Sequence, residues 1–313
     1  MNNSCKIFNW PELKTRLDSA ILILGSREIS PQRVTKLTAQ LLKNTSNQVV
    51  WGVLDEKYII GLEDSPQFRT LSLEGLLAGL AEVDRERVSI LTYSQKDTLQ
   101  IIAQGNWHAL VGVNGSWHRA FHYREEYRVL KKHKIPYKLV SAFIDEAEAI
   151  EYGKKIITDR QKLPVKTGQV CSEKMLFKLV EQVAKYSFDY TWQTGAVLAK
   201  NNNFLLATYN QVVPFEAYAL LHGASKEQHL SPPQDLNHFD TNHAEVELVL
   251  KAAKHKLSLV DCSLYINLMP CPICARMLAQ TGIKEVVYQE EHSGGYAETI
   301  LKKAGKIIRK STF

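Results

Sequence analysis

The residues with the most chemical reach lie between 241 and 276. His243-Ala244-Glu245 is followed, after a gap, by Pro270-Cys271-Pro272-Ile273-Cys274. Cys271 and Cys274 are three apart, so one turn of helix directs both sulfurs to the same side. Pro270 precedes them and residues 275–279 read as helix. The cysteines therefore fall in a first turn, where the helix dipole and free N–H groups favour thiolate. His243 opens a second helical run over 244–254. Two thiolates and one imidazole make three zinc ligands and leave the open fourth position that a catalytic zinc needs. Glu245 lies two residues past the histidine, close enough to reach a water in that position without binding the metal. A single C-x-x-C is also the mark of half a structural zinc site or of a redox pair. A structural site closes its fourth position with another Cys or His. No other cysteine lies near in sequence, and Cys262, at the start of a strand, reads as a small apolar core residue. The expectation is one Zn2+ per chain on His243, Cys271 and Cys274, with Glu245 as the acid–base group.

Elements must position these groups. The chain has 313 residues, long for one domain and comfortable for two. Its 45% apolar content is ordinary for globular proteins, so each half can bury a core. Five cysteines, two of them committed to metal, argue against a disulfide framework and for a reducing, cytoplasmic setting. No apolar run follows a basic start, so no signal peptide is expected, and no stretch is long enough to span a membrane. The net charge of +6 is too mild to assign a nucleic-acid partner.

In the first half, strands are predicted at 20–24, 49–54, 58–61, 88–91, 109–113 and 137–140, and helices at 32–42, 71–80, 97–103, 121–132 and 145–157. Residues 158–167 read as a linker. The second half repeats the order: a helix at 172–185, strands at 195–198 and 204–207, a long irregular segment over 210–242, then the His243 helix, a strand at 263–266, the Cys271 helix and a strand at 285–288. The segments also align, 51–54 with 194–198 and 73–77 with 244–248. On that register Ser72 stands at the place of His243, and Gln95 and Thr98 at the places of the cysteines; only Glu74 survives. The first half thus reads as a metal-free copy of the second. An unrelated doubly wound α/β domain is the rival, because βα alternation is common; an RNase H-like domain is a third reading.

Residues from about 171 to 310 resemble the zinc-dependent cytidine and deoxycytidylate deaminase superfamily. The likeness rests on Gly195-Ala196-Val197, Tyr209-Asn210, His243-Ala244-Glu245 and Pro270-Cys271-Pro272-Ile273-Cys274-Ala275. The closing run 282–288, with Tyr296 and Leu301, looks most like the deoxycytidylate branch. The resemblance implies two tandem deaminase-like three-layer α/β/α domains, a catalytically inactive one over 1–165 and a zinc-dependent one over 166–313. It implies hydrolytic deamination of a cytosine nucleotide or nucleoside, with Asn210 on a sugar hydroxyl and the Ala244 backbone on the pyrimidine edge. Departures are Gln211 in place of the usual Gly and Glu247 in place of the usual Asn. An extra carboxylate there would repel a substrate phosphate, unless Glu247 is a solvated helix residue. His222, His229 and His238, in the segment 215–242, could build a second metal site or line a gate, and read more simply as surface residues. Nucleic acid stays open as an alternative substrate because Trp107, Trp117, Tyr123 and Tyr127 are interleaved with His118, Arg119, Arg124 and Arg128. Buried as one helix face, Tyr123, Tyr127 and Leu130 would instead serve the core. Association into a homo-oligomer is also left open.

Overall fold

A computed structural model describes residues 5–160, 162–228 and 239–312. The chain divides into two compact units, residues 1–156 with 217–239, and residues 157–216 with 240–313. The first boundary falls nine residues before the expected one. The segment 217–239, expected in the second domain, belongs to the first.

In the first unit the strands are β1 (Lys6–Phe8), β2 (Ala20–Ile23), β3 (Gln48–Leu54), β4 (Val88–Tyr93), β5 (Trp107–Val113) and β6 (Tyr137–Val140). The helices are α1 (Trp10–Lys14), α2 (Pro31–Asn44), α3 (Leu73–Gly79), α4 (Thr98–Gln104), α5 (Glu125–His133) and α6 (Glu146–Thr158). The sheet runs β1-β4-β3-β2-β5-β6, and all five of its strand pairings are parallel. β2 sits inside it with all four residues buried, as a strand covered on both faces must. α2 starts where Ser30 caps the Arg33 N–H and Pro31 takes the first position.

The second unit has α7 (Glu173–Ala184), β7 (Gly195–Lys200), β8 (Asn203–Tyr209) and β9 (Gln211–Val212). Two short helices, α8 (Tyr218–His222) and α9 (Ser225–Gln228), belong to the first unit. Then follow β10 (Thr241–Asn242), α10 (Ala244–Lys254), β11 (Ser263–Leu268), α11 (Pro272–Ala279), β12 (Glu285–Glu290), α12 (Tyr296–Lys303) and β13 (Ile307–Lys310). The sheet runs β13-β12-β11-β7-β8. β7 and β8 form an antiparallel hairpin, β11 is antiparallel to β7, and β11, β12 and β13 are parallel. Asn201 and Asn202, both at positive φ, make its turn. Side chains alternate across the sheet: Val197 and Ala199 join the core under α7, while Ala196 and Leu198 join the core under α10, α11 and α12. Gly195 lets α7 approach, since a Cβ there would lie 2.1 Å from the Val180 carbonyl oxygen. This unit is the expected three-layer α/β/α domain.

The α/β class stands and the chain forms two units, but the copy does not extend to strand pairing. The hairpin that opens the second sheet has no counterpart in the first. Residues 58–61, expected as its return strand, form only an isolated bridge between Tyr58 and Arg69. The Glu56 carboxylate explains why: it accepts from the Ser94 hydroxyl at 2.6 Å and the Gln95 N–H at 3.1 Å, which carries the chain across to the end of β4. The surviving Glu74 is exposed. The doubly wound alternative is the arrangement observed.

Among the described residues no helix is long and apolar enough to cross a membrane. All five cysteines are free of disulfides.

Candidate metal and catalytic site

The site is built where two helices begin. His243 is the N-cap of α10 and Cys271 the N-cap of α11, with Cys274 in the first turn behind it. Both helices turn the positive ends of their dipoles toward the same point, which stabilises thiolates. His243 Nδ1 lies 3.5 Å from Cys271 Sγ and 3.4 Å from Cys274 Sγ, and the three ligand atoms are within 4.8 Å of one another. Zinc–sulfur and zinc–nitrogen bonds of about 2.3 and 2.0 Å at a tetrahedral angle put sulfur and nitrogen about 3.5 Å apart. The observed edges match, so the donor set fits zinc. Among the described residues this is the only such group of three. No second site appears at His222, and His229 and His238 lie outside the described residues.

Glu245, in the first turn of α10, is 3% exposed. Burial pushes its carboxyl up to about 6, opposed by the neighbouring His243. A hydrogen bond with Cys274 leads the causes that hold the Cys271 thiol well below its ordinary value, with His243 also contributing.

Wiring behind the site fixes its walls. The Thr208 hydroxyl of β8 donates to the Ala244 carbonyl at 3.0 Å, locking the start of α10. Asn210 is buried: its Nδ2 donates to Trp192 O at 2.9 Å and Asp189 Oδ2 at 3.3 Å, and its Oδ1 accepts from Thr194 N–H at 2.9 Å. Asp189 also accepts from the Thr191 N–H at 2.7 Å; the charged form of His243 is favoured chiefly by its hydrogen bond with Cys271, with Asp189 a lesser contributor. Asn267 spans the same loop, accepting from Gly195 N–H and donating to Gln193 O, each at 2.9 Å. Asp189, Thr208 and Asn267 were not expected from sequence. The one available signal was Asp189-Tyr190-Thr191, an acid two residues ahead of a hydroxyl, the pattern of a side-chain-stabilised turn.

Glu247 is not solvated. It is 8% exposed, accepts from Asn242 Nδ2 at 3.0 Å and lies beside the Lys251 ammonium one turn on, a cation that offsets its repulsion of a substrate phosphate. Nearby, Arg160 donates to the Tyr209 hydroxyl and to Tyr186 O, and lies over the rings of Tyr186, Phe188 and Tyr209. Tyr209 donates in turn to Glu216 at 3.1 Å.

The aromatic set behind the nucleic-acid alternative is largely internal. Trp107 and Trp117 are 6% and 3% exposed, one stacked on Trp10, the other donating to Glu227 at 2.8 Å. Neither can offer a face to a base. Tyr127 packs among Phe121, His122 and Tyr137, and Leu130 is buried, as the core reading of that helix holds, but Tyr123 is exposed.

A buried carboxyl beside a Cys2His metal triad, at the edge of a sheet opened by an antiparallel hairpin, defines a zinc hydrolase of the deaminase type. Residues 171–290 match the cytidine and deoxycytidylate deaminase zinc-binding region. An uncharacterised deaminase from the luxG 3′ region of Aliivibrio fischeri is 31% identical, over 44% of this chain and 82% of its own length. Deoxycytidylate deaminase of Enterobacteria phage T2 is 27% identical, over 37% of this chain and 79% of its own. The dCMP deaminase of cyanophage S-TIM5, solved in apo form, is 23% identical over 44% of this chain and 95% of its own, with a TM-score of 0.34. The chain belongs to the cytidine and deoxycytidylate deaminase family, and it is a zinc-dependent enzyme.

Proposed function

We propose that the chain deaminates a free cytosine nucleotide of the dCMP or CMP type, releasing ammonia and the uracil nucleotide. The observation that carries this reading is Glu245, which ligates nothing in the triad yet is buried against it. The phage T2 relative, named a deoxycytidylate deaminase, supports the substrate class.

His243, Cys271 and Cys274 would hold the zinc, which when bound would supply the Lewis acidity that lets a water give up a proton near neutral pH. Glu245 takes that proton on a carboxylate oxygen as the water oxygen bonds to C4 of the ring. It passes the proton to ring N3. It then moves the second water proton to the exocyclic nitrogen while the C4–N bond breaks, and ammonia leaves. Ala244 is the first residue of α10, and its N–H, one of the first-turn donors without an intrahelical partner, faces the pyrimidine edge in this reading. Asn210 spends both amide hydrogens on the 189–192 loop, and Oδ1, which can accept twice, takes a sugar hydroxyl.

The test is ammonia release by the zinc-loaded full chain from dCMP, CMP, cytidine and a cytosine-bearing single strand. Release from a mononucleotide is expected. Turnover of the single strand alone would overturn the reading.

A further inference from the structure

Asp189 is a carboxylate only 8% exposed, held by hydrogen bonds alone among the described residues. Burying a charge is costly, so the choice of Asp here calls for a use of both its oxygens. Oδ1 closes the 189–192 turn. It accepts from the Thr191 N–H at 2.7 Å, from the Thr191 hydroxyl and from the Trp192 N–H at 3.2 Å. An asparagine would close that turn as well, because the turn asks for one acceptor. Oδ2 takes no part in it. It accepts from Asn210 Nδ2 at 3.3 Å, and the Thr241 hydroxyl, two residues ahead of His243, lies 3.5 Å from it. Only a carboxylate accepts on both sides.

Asn210 shows what the second oxygen secures. One of its N–H groups goes to Trp192 O and its Oδ1 takes the Thr194 N–H, each at 2.9 Å, which fixes the two ends of the amide. The other N–H would be left for a ligand, and Asp189 Oδ2 takes it. What the amide has left is the second lone pair of Oδ1, an acceptor. The Ser187 hydroxyl donates to Asn210 O at 2.9 Å and accepts from the Asp189 N–H at 3.2 Å, so the two backbones are tied as well.

We propose that Asp189 is a positioning residue for sugar selection: by taking the spare N–H of Asn210 it leaves that amide an acceptor only, and so restricts the substrate to a sugar with a hydroxyl hydrogen to donate. The inference rests on the reading that Asn210 meets a sugar hydroxyl. In Asp189→Asn the turn keeps its acceptor, but the new N–H groups stand against that of Asn210 and release it as a donor.

Ammonia release is measured from CMP, dCMP and 2′,3′-dideoxy-CMP, which lose the sugar hydroxyls one at a time, with the zinc-loaded full chain and with its Asp189→Asn variant. A site built to hydrogen-bond a hydroxyl rejects the analogue without it, so kcat/KM of the parent should drop at least about tenfold at one of the two removals. In Asp189→Asn that drop should shrink to about twofold or less, through a raised KM for the hydroxyl-bearing substrate, with kcat and zinc content little changed. A merely structural role would lower all three substrates by one factor and keep the ratio. That result, or no drop in the parent, overturns the proposal. Asp189→Ser, whose hydroxyl can still close the turn but which has no second oxygen, should behave alike and decides if Asp189→Asn does not fold. Failure of the parent to release ammonia from any of the three overturns the substrate reading and this inference together; release with an unchanged ratio in the variants overturns this inference alone.

Discussion

Glu245 and its three neighbours can be separated by what each substitution should remove. Glu245→Gln keeps the shape of the side chain and loses the proton carrier. Turnover should fall about 10²- to 10⁴-fold, while metal analysis still finds one zinc per chain. Unchanged turnover would remove the role assigned to this carboxyl. Cys271→Ser breaks the triad itself and should lower both zinc content and melting temperature. These four residues were legible in sequence because each pair is local: two residues from His243 to Glu245, three between the cysteines. The separation of the two pairs is bridged by helices that begin with their ligands. Asp189 was not legible. Its partner Asn210 is 21 residues away, and only the folded hairpin brings them within 3.3 Å. Of the two readings open for Glu247, the solvated one fails for the same reason, since Asn242 claims it only once β10 has turned the chain.

Ion pairs tie the elements around the site together, and they respond to pH in a determined direction. Arg309 of β13 binds both Glu173 at the start of α7 and Glu285 of β12. Its hydrogen bonds, chiefly, hold the Glu173 carboxyl below its ordinary value of 4.5. The stability this contributes is present above pH 4.5 and is lost as the pH falls through the lower folded value. Urea midpoints measured from pH 7 to pH 3 should therefore drop less steeply in Glu173→Gln than in the parent chain. Arg160 is the more deeply set group, with its side chain 13% exposed and that of Glu216 15%. Arg160→Ala leaves Glu216 and three rings around an emptied space, and should cost about 3 kcal/mol by denaturant titration. Most elements were readable from period and caps, as Ser30-Pro31 shows for α2. The false strand at 58–61 was apolar enough to pass, and what excluded it was a distant claim, that of Ser94 and Gln95 on Glu56.

At the scale of the molecule, element order proved readable and strand order did not. Alternating βα segments produce both a sheet parallel throughout and one opened by a hairpin; the choice is made by pairings across tens of residues, such as β2 with β5. The segment 217–239 has the same character. Ala219 and Leu220 of α8 are buried, and the Leu220 carbonyl accepts from the Ala142 N–H at 3.1 Å, inside the first unit. A fragment of residues 157–313 alone should then expose α8 and aggregate, whereas the full chain should elute as a single species in gel filtration. Soluble, active fragment would contradict that assignment. The chain crosses between its units three times, at 156/157, 216/217 and 239/240. Modules joined by one seam can be swapped by one recombination; here a single crossover near residue 165 would orphan a piece of one unit inside the other. Exchange with other deaminases must respect three breakpoints at once, so the two units are expected to travel together through descent.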